Sequence, residues 1–569
     1  MRIPLSSPVA AAEAALERIE AFADPALFIT RIAPEAVRAR AAALEAEGPR
    51  GRPLWGVPFV IKDNIDAAGL PTTAACPAFA YVAKQDAPAL SRMLAAGALL
   101  LGKVNLDQFA TGLVGTRSPY GTPRNAVLPS HIPGGSSSGS ATAVAAGIAM
   151  VSLGTDTAGS GRIPAAAQEL IGLKPSLGLV PTRGVVPACR SLDCVSVFAR
   201  SVADAAAVLA VIAGPDPADP YCRPAPAHWR ALEAAPPRPR IAVPADPSAL
   251  FDTAGDAERF SAALDRFVAL GALIVPVDIA PLLAIARRLY EGAWVAERSA
   301  ALRPWVEERA EALHPITRAI LAEGLTRRSV DAFEDFHAAA LARLHARGIF
   351  AQADALLLPT HPGLPSLDQV AAQPMAANSR LGTTTNFVNL CDLSAVALPN
   401  GRRPDGVPCS ISLIGPAFAE GRLAGLAALF LGEAIDPPPL APGEVTLFCI
   451  GAHMSGLPLN GQLLAHGGRF LRLAATEPEY RLFDLGERPG MLRVAEGGVS
   501  IPGELWALPA AAIGPLLALL PEPLGFGPVR LADGERSLGF LAEPAGVAGM
   551  PDISASGGWR AYLATRGRG

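Results

Sequence analysis

No CxxC pair occurs in this chain, and its seven cysteines are an odd number. That fits reduced thiols in a cytoplasmic protein better than a disulfide framework. The eight histidines are scattered, with no HExxH and no paired Cys/His spacing, so no metal site is expected. An excess of one charge is also missing. A formal net charge of −4, without a dense Lys/Arg cluster, leaves no electrostatic footprint for nucleic acid. Long apolar runs are lacking as well. Residues 125–155 carry no formal charge if His131 is neutral, but their first half is Pro, Ser and Gly. The apolar piece ATAVAAGIAMVSL that follows is too short to span a bilayer. The N-terminal MRIPLSSPVAAAEAALERIEAF has the outline of a leader peptide. Glu13 and Glu17 interrupt its apolar run, and it reads as an amphipathic helix.

What remains is a globular composition: 50% hydrophobic and 18% charged residues over 569 positions, more than one compact core accommodates. Residues 10–47 read as one or two helices. LWGVPFVIKDNID holds a short apolar strand ending at Lys62. PALSRMLAAGALLLGKVN, ATAVAAGIAMVSLGTDT and DAERFSAALDRFVALGALIVPVD each run helix then strand. This alternation predicts an α/β domain on a largely parallel or mixed sheet. The stretch LGEAIDPPPLAPGE is a proline-marked spacer, and short strands with turn residues follow it. The expected division is a catalytic domain over 1–436, a linker over 437–444 and a small β-rich domain over 445–569.

Three separated motifs carry chemistry. PGGSSSGSATAVAAG, residues 133–147, is a Gly/Ser loop feeding a helix, which gathers backbone N–H groups. A phosphate loop needs a lysine that is absent here, and a flexible linker is the plain alternative. In GTDTAGSGRIPA, Ser160 stands among small residues, Thr157, Ala158, Gly159 and Gly161. Such a loop fills a turn, or it turns its amides inward as an oxyanion hole. Lys62 ends an apolar strand. It is either a solvated cap or, if buried, an amine held neutral and able to act as a base. A serine hydroxyl needs a base, no histidine but His131 lies in these segments, and a lysine acting through a second serine is workable.

PFVIKDN, PGGSSSGSATAVAAG and GTDTAGSGRIPA together resemble the amidase signature family, over roughly residues 5–435. The resemblance implies an α/β/α sandwich with a mixed central sheet and a Ser-cisSer-Lys triad. In that triad Ser160 is the nucleophile, Ser136 the bridging serine behind a cis peptide, and Lys62 the base. The amides of Thr157, Ala158, Gly159 and Ser160 form the oxyanion hole. DTAGSGR is similar to the allophanate hydrolase branch, which acts on a small amide with a carboxylate at one end. RRLYEGAWVAERSA, residues 287–300, reads as one helix with Tyr290, Trp294 and Arg298 on a broad face spanning about 12 Å. An arginine fork suits a planar carboxylate, and the resemblance implies that Tyr290 and Arg298 hold it. Gly112 is placed beside the pocket. The tail resembles the C-terminal domain of that branch and, in fold, gamma-glutamyl cyclotransferases, with FCIGAHMSG in place of their glycine-rich turn. There His453 is the candidate for decarboxylating N-carboxycarbamate, the product left when ammonia departs. GELWALP reads as a core strand. The branch implies a cytoplasmic homodimer in urea-nitrogen metabolism, with no metal or organic cofactor. The alternatives are a broader amidase, an inactive scaffold and a glutamine-type amidotransferase subunit.

Overall fold

The computed structural model describes residues 7–436 and 438–567. Pro437, the first proline of the expected linker, lies outside the described residues, as do Met1–Ser6 of the leader-like stretch. The N-terminal segment forms two helices, α1 (Pro8–Phe22) and α2 (Pro34–Glu47), separated by strand β1 (Phe28–Arg31). Ser7 starts α1 by accepting from the Ala10 amide, and Ala23 in the left-handed region stops it.

Ten further strands complete an eleven-stranded sheet. In chain order they are β2 (Pro58–Lys62), β3 (Leu99–Val104), β4 (Val151–Asp156), β5 (Ile171–Lys174), β6 (Cys194–Ala199), β7 (Arg240–Pro244), β8 (Leu273–Val277), β9 (Ala355–Pro359), β10 (Leu393–Arg402) and β11 (Pro408–Pro416). Their order across the sheet is β1-β3-β2-β4-β6-β5-β10-β11-β9-β7-β8. Pairing is parallel for β2 with β3 and β4, and antiparallel for β4 with β6 and β10 with β11. The sheet is therefore mixed. Every residue of β2 and β4 is buried, which is why both read as continuous apolar or small-residue runs rather than alternating ones.

The helices that matter for the site are α3 (Ser138–Ala145), α4 (Ile163–Ala167), α5 (Ala280–Glu291), α6 (Trp294–Ala301), α7 (Ser329–Gln352) and α8 (Asn386–Leu390). One apolar cluster joins α1, α2 and α3 to the sheet, and another joins α5, α7 and α8. The single helix expected over 287–300 is two helices, α5 and α6, broken at Gly292. The Gly292 amide closes α5 on the Arg288 carbonyl, and Asp335 of α7 accepts from the Ala293 amide at 2.6 Å. A Cβ at Gly292 would stand 2.3 Å from Asp335 Oδ2. The break is thus imposed by a carboxylate from a distant helix, which no local spacing reveals.

Two compact units emerge. The first comprises Met1–Ala225, Ile241–Val268 and Ile274–Glu433; the second Pro226–Arg240, Ala269–Leu273 and Ala434–Gly569. The second unit has a five-stranded sheet of β12 (Glu444–Cys449), β13 (Arg469–Ala475), β16 (Pro502–Pro509), β17 (Leu524–Arg530) and β18 (Arg536–Ala542). Its order is β13-β16-β12-β18-β17, with a hairpin of β14 (Tyr480–Asp484) and β15 (Pro489–Arg493) beside it in sequence. Leu447, Phe448, Trp506 and Phe540 anchor its core. The spacer before β12 is tied down: Arg469 donates to the Pro438 and Pro439 carbonyls and pairs with Glu444. All seven cysteines are free.

Candidate active site

Lys62 closes β2, and β2 lies parallel to β4, so the amine runs alongside Thr155. The side chain is fully buried. Its Nζ donates to Ser136 Oγ and to Thr155 Oγ1, each at 2.7 Å. Burial pulls this amine down to about 7, against the opposing charges of Asp107, Asp193 and Asp156. Four lysines occur in the chain; Lys62, Lys103 and Lys174 are wholly buried, and Lys84 is exposed. Lys103 faces the Asp63 carboxylate at 3.2 Å, and Lys174 donates to two backbone carbonyls. Lys62 alone of the three donates to two hydroxyls.

The serine-rich loop is fastened to the same strand. Ser137 Oγ donates to the Thr155 carbonyl at 3.1 Å and accepts from the Thr155 amide at 3.3 Å. The Gly135–Ser136 peptide is cis, and the Ser136 carbonyl accepts from the Asp107 amide. Gly134 packs so closely on Pro164 that a Cβ there would meet its Cα at 2.6 Å. The loop bearing Ser136 and the one bearing Ser160 therefore touch. Ser160 is 3% exposed, and its hydroxyl bonds to no described residue, Ser136 included. Active-site hydrogen bonds commonly tighten only when substrate arrives.

Around Ser160 the backbone is held by a buried ion pair. Arg162 Nε meets Asp156 Oδ2 at 2.9 Å, while the same carboxylate accepts from the Gly159 and Gly161 amides at 2.9 and 3.0 Å. Burial raises the Asp156 carboxyl, and Arg162, Lys174 and the Gly161 amide outweigh it, leaving it below its usual range. Arg162 also donates to the Thr385 carbonyl and to Asn389 Oδ1, and Asn389 returns a bond to the Asp156 carbonyl. The Gly159 amide is thus committed, while those of Thr157, Ala158 and Ser160 find no acceptor among the described residues. A Cβ at Gly159 would lie 2.5 Å from Thr385 Oγ1, a buried hydroxyl without a partner among the described residues.

Arg298 and Tyr290 come together across the Gly292 break, with the guanidinium carbon 5.5 Å from the tyrosine ring centre. Arg298 is 1% exposed and donates to neutral oxygens, Thr111 Oγ1 at 2.9 Å and the Ala110 carbonyl at 3.3 Å. No carboxylate among the described residues pairs with it. Burial works against its charge, and Cys189, Tyr290 and Asp193 outweigh that, so it stays protonated. Gly112 follows Thr111 directly, and a Cβ on it would strike Asp107 Oδ2 at 2.6 Å. Asp107 in turn holds the Gly115 and Arg117 amides. Trp294, on the same sequence face, turns instead to Phe336 of α7. Tyr290 also lines a cavity of about 540 Å³ with Leu250, Ala286, Arg287, Thr383 and Asn386.

His453 lies in the second unit. Its Nε2 is 3.0 Å from Gln462 Oε1, its ring stacks on Phe540, and Arg488 shares its cavity of about 60 Å³. Burial lowers its pKa. GELWALP is a core strand as expected, and its Glu504 is wholly bonded to Ser455, Trp506 and Arg560. Among the described residues no group of His, Cys, Asp and Glu is placed to hold a metal ion, and no helix is long and apolar enough to cross a membrane.

Sequence reasoning left Asp156, Arg162 and Asn389 without roles. The first two stand in the quoted GTDTAGSGRIPA motif, where an acid and a base flanking a glycine-rich turn are the available signal. Asn389 and Thr385 join from far along the chain.

A family model described as Amidase matches residues 10–424, and one described as Allophanate hydrolase C-terminal domain matches residues 445–564. Urea amidolyase of Lachancea kluyveri is 41% identical over 545 residues, covering 90% of this chain and 30% of that protein. The chain thus spans under a third of that longer relative. One subunit of the glutamyl-tRNA(Gln) amidotransferase of Solidesulfovibrio magneticus is 34% identical, covering 76% of this chain and 95% of that protein. The solved structure of SeMet-substituted Kluyveromyces lactis allophanate hydrolase superposes with a TM-score of 0.79 at 39% identity, covering 99% of this chain and 97% of that one.

Proposed function

Because the chain belongs to the amidase family, we propose that this amidohydrolase takes allophanate as its substrate and cleaves the terminal amide. Arg298 carries the reading. A buried cation without a carboxylate partner is costly unless an anion completes it, and allophanate is an amide that brings one. Tyr290 covers the guanidinium, and Gly112 lets the segment that carries Thr111 lie close against Asp107.

With the carboxylate held there, neutral Lys62 takes a proton from Ser136, and Ser136 takes one from Ser160, whose oxygen attacks the amide carbon. The tetrahedral oxyanion meets the amides of Thr157, Ala158 and Ser160. In this role Gly159 contributes space, since its own amide serves Asp156. Collapse expels ammonia with the returned proton, and water then cleaves the acyl-enzyme to N-carboxycarbamate. The Asp156–Arg162 pair keeps the loop's dipoles fixed before charge develops. In the tail, His453 protonates the nitrogen of N-carboxycarbamate as its C–N bond breaks and CO2 leaves. The reading includes a cytoplasmic homodimer serving urea-nitrogen metabolism.

Product analysis tests it. Allophanate should yield two ammonia and two CO2 per molecule, with malonamate and simple aliphatic amides far slower. Arg298→Ala should lose about 30- to 1,000-fold in kcat/KM on allophanate. Equal rates on glutamine or aliphatic amides, untouched by Arg298→Ala, would instead favour a broader amidase or the ammonia-delivering role that the amidotransferase relatives bring to mind.

A further inference from the structure

Thr111 is held by two buried arginines. Arg298 donates to its hydroxyl at 2.9 Å, and Arg117 donates to its carbonyl at 3.0 Å. Arg117 stands in FATGLVGTRSPYG, the stretch that carries Gly112, and it has no part in the proton transfers. It is 1% exposed. Its Nη2 donates to the Pro374 carbonyl at 3.1 Å, and its Nε finds no acceptor among the described residues. No carboxylate among the described residues pairs with the guanidinium. Asp107 lies close, but its oxygens accept from the Gly115 and Arg117 amides. Gly112 is wedged between the two: a Cβ there would stand 2.6 Å from Asp107 Oδ2 and 3.2 Å from Arg117 Cδ. Burial pulls the Arg117 pKa down, Asp107 and Tyr290 oppose this, and Arg298 adds to it. An arginine keeps its proton regardless. The segment is closed by the Gln108 amide on the Arg117 carbonyl at 2.7 Å. It also lies against the serine loop, where the Leu113 carbonyl accepts from the Gly135 amide at 2.7 Å.

We propose that Arg117 is the second cation of the carboxylate site, a positioning residue that sets the preference for substrates carrying an anion. Its bond to the Thr111 carbonyl fixes the hydroxyl on which Arg298 is oriented. Its charge, behind Thr111, strengthens the hold on an incoming carboxylate. Two like charges close together in a dry interior disfavour each other until an anion arrives, so the anion is favoured by both. A neutral amide gains nothing from the pair. The inference rests on the proposed function, in which Arg298 takes the carboxylate, and deepens it by adding the group that backs Arg298.

Titration calorimetry and steady-state kinetics on the full chain test it, with circular dichroism to confirm folding. Malonate is the binding probe, a dicarboxylate with no amide to cleave, and the site read is the one that Arg298→Ala removes. Arg117→Gln should weaken malonate binding and raise KM for allophanate about tenfold each, with kcat within about threefold of the parent. Arg117→Lys keeps the charge and should stay within about threefold of the parent in both. A loop staple alone would lower kcat and leave KM and malonate affinity unchanged, and that result would overturn the proposal. So would Arg117→Lys as weak as Arg117→Gln, or a parent with no malonate site that depends on Arg298. Should Arg117→Gln fail to fold, Arg117→Lys decides, and a tenfold loss of malonate affinity there counts against the proposal. Malonate binding that follows Arg117 as expected, in a parent that releases no ammonia from allophanate, would count against the proposed function alone.

Discussion

Each compact unit buries a titratable group, Lys62 in one and His453 in the other, and burial moves both towards their neutral forms. Their surroundings differ. Lys62 sits where a strand end, a serine loop, a glycine-rich turn and three buried aspartates meet, with its two donated bonds going to hydroxyls. His453 lies flat on Phe540 with one carboxamide in reach, in a cavity that holds only a few atoms. A difficult bond cleavage needs nucleophile, base and charge stabilisation in fixed geometry, and in the proposed function the first unit supplies all three. A decarboxylation needs mainly a proton delivered to the departing nitrogen, for which a single ring suffices.

The sharpest break of that contrast is Ser160→Ala. It should cut ammonia release about 10⁴- to 10⁶-fold while leaving folding intact, measured by a coupled ammonia assay and thermal melting. Full release by this variant would remove the serine chemistry altogether. A gentler probe is pH. Lys62 must be neutral to accept a proton, and with its pKa near 7 it is protonated below that value. Log kcat/KM for ammonia release should therefore fall by about one per pH unit below about 7 and flatten above it. A flat profile from pH 5 to 8 would place the base elsewhere. The smallest effect is expected from His453→Ala. Ammonia release in the first step should be unchanged, while N-carboxycarbamate, followed by ¹³C NMR, should persist several-fold longer. An unchanged lifetime would leave the second unit without a chemical role.

Lys62, Ser136 and Ser160 stand in three local motifs that the resemblance could pick out within a dozen residues each, and the Lys62–Ser136 bond at 2.7 Å joins the first two. The mixed sheet was legible from helix–strand alternation and from strands without a polar face, such as PFVIK. The break at Gly292 was not. Tyr290, Trp294 and Arg298 keep helical spacing across it, and only Asp335, 42 residues beyond Ala293, ends the first helix. Asn389 escaped for the same reason, since it meets Arg162 across 227 residues. The inclusion of Pro226–Arg240 in the second unit had no signature either, because a proline-rich segment without periodicity shows nothing of what it packs on. His228 against Gly467 and Arg238 against Ser455 are contacts made only in three dimensions.

The distribution of lysine has a practical consequence. Arginine has taken over nearly all the cationic surface, and three of the four lysines are sealed inside. An amine-directed label therefore meets one lysine side chain on the folded protein, Lys84. A dye, a surface tether or an acetyl group placed there marks the molecule at a known point while the amine of Lys62 stays out of reach.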